Sequence, residues 1–226
     1  MIRSERAADG AYRIVTLDRP EARNALTLDG LDALEAAVVD ADEPVVLLRG
    51  AGSAFCAGAD LDVVESLDDP AAFAGHGQRV AEAIETAETV VVAGVDGAAR
   101  GGGVELALAC DIRVATPDAT FAESGAAFGL FGAWGGTARL PRIVGEGAAL
   151  DIALSARVVD SEEARELGLV SRVVDDPSAV ARAVAENDPD ALAAVKRLVR
   201  AGARGAETEA DEREAFARLH GIHFGE

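Results

Sequence analysis

Lysine is almost absent from this chain: Lys196 is the only one, and the other 20 of the 21 basic residues are arginine. Against them stand 40 acidic residues, giving a formal net charge of −19 and a pI near 4.5. A surface this negative repels polyanions, which excludes nucleic acid and anionic membranes as partners. Aromatic residues are also scarce, at 4 %, but the apolar share reaches 50 % of the 226 residues. A chain of this length buries roughly 70–75 % of its unfolded surface, so one sizeable core follows and disorder is excluded. No stretch approaches the ~20 apolar residues of a membrane span, and the opening MIRSERAADG lacks the apolar segment of a signal peptide. The two cysteines, Cys56 and Cys110, follow no ligand or disulfide spacing and are expected as reduced thiols in a cytosolic protein. No serine sits in a GxSxG elbow, and the HxxH at His220 and His223 lies in a polar tail where a metal site is not expected. Replacement of lysine by acidic and small residues is the composition expected of a very salty cytoplasm, where ~1 M salt shortens the Debye length to about 3 Å and screens self-repulsion.

What is present alternates between strand and helix. Ala11–Asp18, Pro44–Arg49, Val90–Val95 and Asp111–Ala115 read as strands, with Val170–Val174 as a short fifth. Between them Thr27–Asp40, with Thr27 as N-cap, Asp69–Thr86 and Val104–Ala109 carry helical spacing, and further helical patches follow near 137–143, 148–155 and 161–167. The NDPD stretch Asn187–Asp190 reads as a linker to two amphipathic helices, Ala191–Ala201 and Glu207–His220. This pattern predicts an α/β domain with parallel pairing over residues 1–187 and a helical region over 188–226.

Two loops hold the chemistry. In Gly50–Asp60, GAGSAFCAGAD, small residues after a buried strand let backbone N–H groups approach a ligand. In Val90–Asp111, three glycines at 101–103 precede Glu105, a lone acid in an apolar helical run. Burying such a carboxyl is expensive unless it is paired or functional, and burial raises its pKa toward that of a general acid/base. Aligned as a dinucleotide fingerprint the segment fails, because Leu106 stands where the last glycine belongs.

Taken together, LDRPEARNALTLDGLDALEAAV (17–38), AFCAGADL (54–61), ARGGGVELALACDIRVA (99–115), GLFGAWGGTARLPRIVG (129–145) and ARELGLVSRVV (164–174) resemble the enoyl-CoA hydratase/isomerase (crotonase) superfamily. The resemblance implies an α/β crotonase-like spiral of ββα units with a C-terminal helical trimerisation region, hence a homotrimer or hexamer. It also implies an acyl-CoA thioester as substrate, with no permanently bound cofactor and no metal. Motif match places the two oxyanion-hole N–H groups on Ala57 and Gly102 and the CoA and substrate contacts on Arg23, Ala25, Ala57, Gly58, Ala59, Asp60, Leu61, Gly102, Ala133 and Trp134. Glu105 matches the first of two family glutamates; the second falls on Gly125, with Glu123 two residues earlier, Ser124 where proline is common and Trp134 where glycine is usual.

The activity implied is syn hydration of a 2-enoyl-CoA, with Glu105 as acid/base and Glu123 as its candidate partner. Double-bond isomerisation, thioester hydrolysis or decarboxylation, and a weakly catalytic CoA-binding paralogue are the alternatives. CoA is itself a polyanion, so its phosphates are expected to find local donors: backbone N–H groups at 57–60, Arg19, Arg23, or the cluster Lys196, Arg197 and Arg200.

Overall fold

A computed structural model describes residues 1–203 and 209–224. Its strands are β1 (Ile2–Arg6), β2 (Arg13–Leu17), β3 (Val45–Gly50), β4 (Ala54–Cys56), β5 (Val90–Val95), β6 (Ala98–Arg100), β7 (Ile112–Ala115), β8 (Thr120–Ala122), β9 (Val159–Asp160) and β10 (Arg172–Val173). Its helices are α1 (Leu28–Val39), α2 (Leu61–Glu65), α3 (Pro70–Thr86), α4 (Gly102–Ala109), α5 (Gly136–Val144), α6 (Glu146–Ser155), α7 (Ser161–Glu166), α8 (Pro177–Ala185), α9 (Pro189–Ala203) and α10 (Glu209–Phe224).

The strands form a six-stranded sheet ordered β1-β2-β3-β5-β7-β10 and a four-stranded sheet ordered β4-β6-β8-β9. Three successive units, β3-β4, β5-β6 and β7-β8, each give one strand to either sheet and then pass to a helix. Within each sheet the unit strands pair in parallel, Val45 opposite Val90 in the large one and Ala98 opposite Thr120 in the small one. This is a structural repeat with no sequence repeat behind it. The small-sheet strands are two or three residues long, too short for a period-two signal, and those of the three units fall inside stretches that read as loops and turns.

The continuous apolar strands follow from burial on both faces. Along β3, Val46 and Leu48 enter the main core with Leu31, Leu34 and Ile84, while Val45 and Leu47 enter a second cluster with Val180 and Ala181. The second face is covered by α8, an element that sequence periodicity left unassigned. Its position explains why β3 and β5 carry no polar alternation.

Acidic residues also shape the helix ends. Asp60, Asp69, Asp160 and Asp176 each accept a backbone N–H as the N-cap of α2, α3, α7 and α8, and Thr27 caps α1 as expected. The NDPD stretch is a helix start and not a linker. Pro189 occupies the first turn of α9, where no N–H is needed, and Ala191 donates to Asp188 Oδ1 at 2.9 Å. Of the expected helix 207–220, the first two residues lie outside the described residues; the remainder lies within α10.

Candidate active site

The segments that leave β4, β6 and β8 meet at one end of the small sheet. Their approach depends on missing side chains. Gly58 has φ +89°, and a Cβ there would lie 2.8 Å from Arg100 O and 2.9 Å from Gly102 N. A Cβ on Gly103 would lie 2.8 Å from Cys56 Cβ and 2.9 Å from its carbonyl carbon. Backbone cannot retreat as a flexible side chain can. Gly103→Ala is therefore expected to cost about 1–3 kcal/mol, read as a lower midpoint in denaturant, and to separate the two loops.

Hydrogen bonding decides which N–H groups here are available. The Ala57 N–H donates to Arg23 O at 2.9 Å, so it is not free to act as the expected oxyanion donor. Leu26 pairs in parallel with Ala59: Leu26 N donates to Gly58 O at 2.8 Å and Asp60 N to Leu26 O at 2.9 Å. That ladder turns the Ala59 N–H to the opposite edge, where it meets no acceptor among the described residues. The assignment of Ala57 is corrected accordingly. Gly102 opens α4 behind Gly101, which supplies no side-chain cap, and its N–H likewise meets no acceptor among the described residues.

Glu105 follows on α4 and is 1 % exposed. Its Oε1 accepts the Trp134 N–H at 2.8 Å and the Gly136 N–H at 2.6 Å. Gly132 and Gly136 have no Cβ where the carboxylate sits; one on either would come within 2.8 Å of it. Burial raises the Glu105 pKa above the ordinary glutamate value, against the two N–H groups and the charge of Arg139, which lower it.

Glu123, one residue past β8, is 6 % exposed, and its Oε1 has no partner among the described residues. Burial, then the charge of Glu105, pushes its pKa up to about 8. It lines a cleft of about 450 Å³ with Gly125, Gly132 and Gly136, whose walls include Leu130, Leu140 and Leu150. A Cβ on Gly125 would sit 2.7 Å from Phe131 Cα. The position of the second family glutamate thus admits no side chain on this backbone, while the carboxyl two residues earlier reaches the same cleft.

Trp134 is buried, its ring against Gly77 and Gly102 and 6.0 Å from that of Phe73. The missing Cβ atoms of Gly77 and Gly102 make room for the indole. Its neighbour Ala133 accepts from Gln78 Nε2 at 2.8 Å.

The expected phosphate donors divide. Arg19 is ion-paired with Asp60. Lys196 donates to Thr89 O and lies 2.8 Å from Asp111, and Arg200 binds Asp111 and Glu85. Those three cations are committed inside the fold. Arg23 is exposed and left-handed (φ +52°), with no ion pair among the described residues, and Arg197 is exposed too. Ala25 is buried, and Leu61 is exposed at the start of α2. Both thiols are buried with pKa values pushed up to about 12, which makes them inert. No cluster of His, Cys, Asp and Glu able to hold a metal occurs among the described residues.

A model of the enoyl-CoA hydratase/isomerase family matches residues 9–224. Crotonyl-CoA hydratase of Syntrophomonas wolfei is 40 % identical over 153 residues, covering 65 % of this chain and 59 % of that protein. Short-chain-enoyl-CoA hydratase of Clostridium acetobutylicum is 36 % identical over 156 residues, covering 66 % of this chain and 60 % of that protein. The chain thus aligns with about three fifths of the length of these curated relatives. Among solved structures, an enoyl-CoA hydratase from Thermoplasma volcanium superposes with a TM-score of 0.90 at 30 % identity, covering 99 % of this chain and 93 % of the other.

Proposed function

Because the chain belongs to the enoyl-CoA hydratase/isomerase family, we propose that it adds water across the double bond of a 2-enoyl-CoA thioester. One observation carries this reading: a buried carboxyl with an unpartnered oxygen, Glu123, beside a second carboxyl, Glu105, that two N–H groups anchor. The environments separate the roles. Glu105 receives hydrogen bonds that favour its charge, whereas Glu123 receives none and holds the proton at neutral pH.

Ionised Glu105 takes a proton from water as its oxygen bonds to Cβ, and protonated Glu123 gives its proton to Cα. The π electrons pass through the thioester, and its oxygen carries the charge until Cα is protonated. The N–H groups of Ala59 and Gly102 are the donors assigned to that oxyanion, each worth roughly 3–4 kcal/mol in a dry site. Proton exchange between the two carboxyls then restores the starting state. Arg23, with the small residues 57–59, is assigned to CoA.

An ultraviolet assay with crotonyl-CoA in molar KCl tests this. Loss of the conjugated-thioester absorbance is the expected result. Isomerisation is the second reading, favoured by the firm anchoring of Glu105 alone, since it needs one proton shuttle. Conversion of a 3-enoyl-CoA with no hydration of crotonyl-CoA would establish it instead, and release of free thiol would establish hydrolysis.

The acid-rich surface is read as adaptation to salt in a cytosolic trimer or hexamer. Its melting point is expected to rise from low salt to molar KCl, as like charges are screened. An unchanged melting point would overturn that reading. Light scattering in the same buffer reads the assembly.

A further inference from the structure

Glu105 is held by two N–H groups of one turn, 134–136, and that turn is itself held. Arg139, buried on α5, donates Nη1 to Trp134 O at 3.0 Å. Trp134 is the residue whose N–H donates to Glu105. Gly135 (φ +101°) leaves open the space that the Arg139 guanidinium occupies. The other guanidinium nitrogens face Glu85: Nε and Nη2 donate to Glu85 Oε2 at 3.0 and 2.8 Å. Glu85 also accepts from Arg142 at 3.1 Å and Arg200 at 3.3 Å through Oε1. Arg200 in turn binds Ala109 O at 2.9 Å and Cys110 O at 3.1 Å, where the Glu105 helix ends. Glu85 thus links the turn that grips the Glu105 carboxylate with the far end of the helix that carries it.

We propose that Arg139, clamped by Glu85, is a positioning residue that fixes the 134–136 turn and through it the orientation of Glu105; this rests on the acid/base role assigned to Glu105 above. An arginine present only to neutralise Glu85 would satisfy that carboxylate with Nε and Nη2. The third donor, aimed at the carbonyl of the residue that grips Glu105, has a different consequence. It holds Trp134 by its carbonyl while Glu105 holds the same residue by its N–H, and it brings a positive charge toward the carboxylate. The charged groups acting on Glu105 are Arg139 from α5 and Glu123 from beyond β8.

The test uses Arg139→Met, Arg139→Lys and Glu85→Gln in the full chain. Two readouts are taken: the pH dependence of crotonyl-CoA hydration, and the carboxyl titration of the Glu105/Glu123 pair by infrared difference spectroscopy. Arg139→Met is expected to lower kcat roughly 10–100-fold with KM changed by less than about threefold, the scale of loss from displacing a catalytic group without removing it. The acid limb of the profile should move to higher pH, because the charge favouring ionised Glu105 is gone, and Arg139→Lys should restore part of both. Glu85→Gln keeps Arg139 but frees it, and should move the same readouts less; it decides the matter if Arg139→Met does not fold. Wild-type kcat in the folded variants, or a fall in kcat with acid limb and carboxyl titration unmoved, overturns the proposal. If the wild-type protein does not hydrate crotonyl-CoA, the functional reading fails while the infrared titration still decides the positioning one.

Discussion

Glu105→Gln is expected to lower hydration of crotonyl-CoA by about 10²–10⁴-fold, the contribution typical of a positioned general acid/base. The substitution is nearly isosteric. A glutamine oxygen can accept both N–H groups, from Trp134 and Gly136, that Glu105 Oε1 accepts now. The variant also no longer places a charge in a site that is 1 % exposed. Stability is therefore expected to hold or rise while turnover falls, and that divergence separates a catalytic role from a structural one. Steady-state kinetics and a thermal melt on one sample read both. Full activity in Glu105→Gln would sink the assignment.

Glu123→Gln has the second large effect, and it shows in stability as well as in rate. The folded carboxyl titrates at about 8, against 4.5 for its ordinary value. Between those pH values the folded protein holds a proton that the unfolded chain has already lost. Stability therefore falls as pH rises across this window. Glutamine carries no such penalty, so the variant should gain on the wild type from pH 5 to 8, by on the order of 3 kcal/mol at the upper end. Catalysis should move the other way. If protonated Glu123 supplies the proton to Cα, wild-type activity declines above about pH 8, and the variant is both slower and without that decline. Melts and rate profiles from pH 5 to 10 check both signs. A stability gap between variant and wild type no larger at pH 8 than at pH 5 would mean that the carboxyl is solvated in solution.

Both effects trace to details of unequal visibility in the sequence. The glycine turn and the lone acid in an apolar run pointed to Gly102 and Glu105, because a helix entrance and its first turn are set by neighbours in the chain. The buried strands β3 and β5 were equally plain, since β5 is apolar throughout and β3 is apolar but for Arg49. The second sheet was not, because three-residue strands carry no period. Nor was α8, whose apolar face is defined by the sheet it covers.

Composition and local pattern alone determined the class of fold and marked the glycine turn at 101–103 and the lone acid Glu105, and with the other quoted blocks they carried the resemblance to the family. Tertiary structure decided the allocation of hydrogen bonds and charges. Arg23 O occupies the Ala57 N–H and leaves that of Ala59 open. Phe131 fills the space beside Gly125, so the buried carboxyl at the cleft comes from Glu123, two residues earlier. Lys196 and Arg200, which read as phosphate donors, are bound to Asp111 and to helix-end carbonyls. For the hydrogen bonds and ion pairs the deciding partner is distant in sequence, and a donor satisfied by a distant acceptor cannot be told from a free one until the chain has folded.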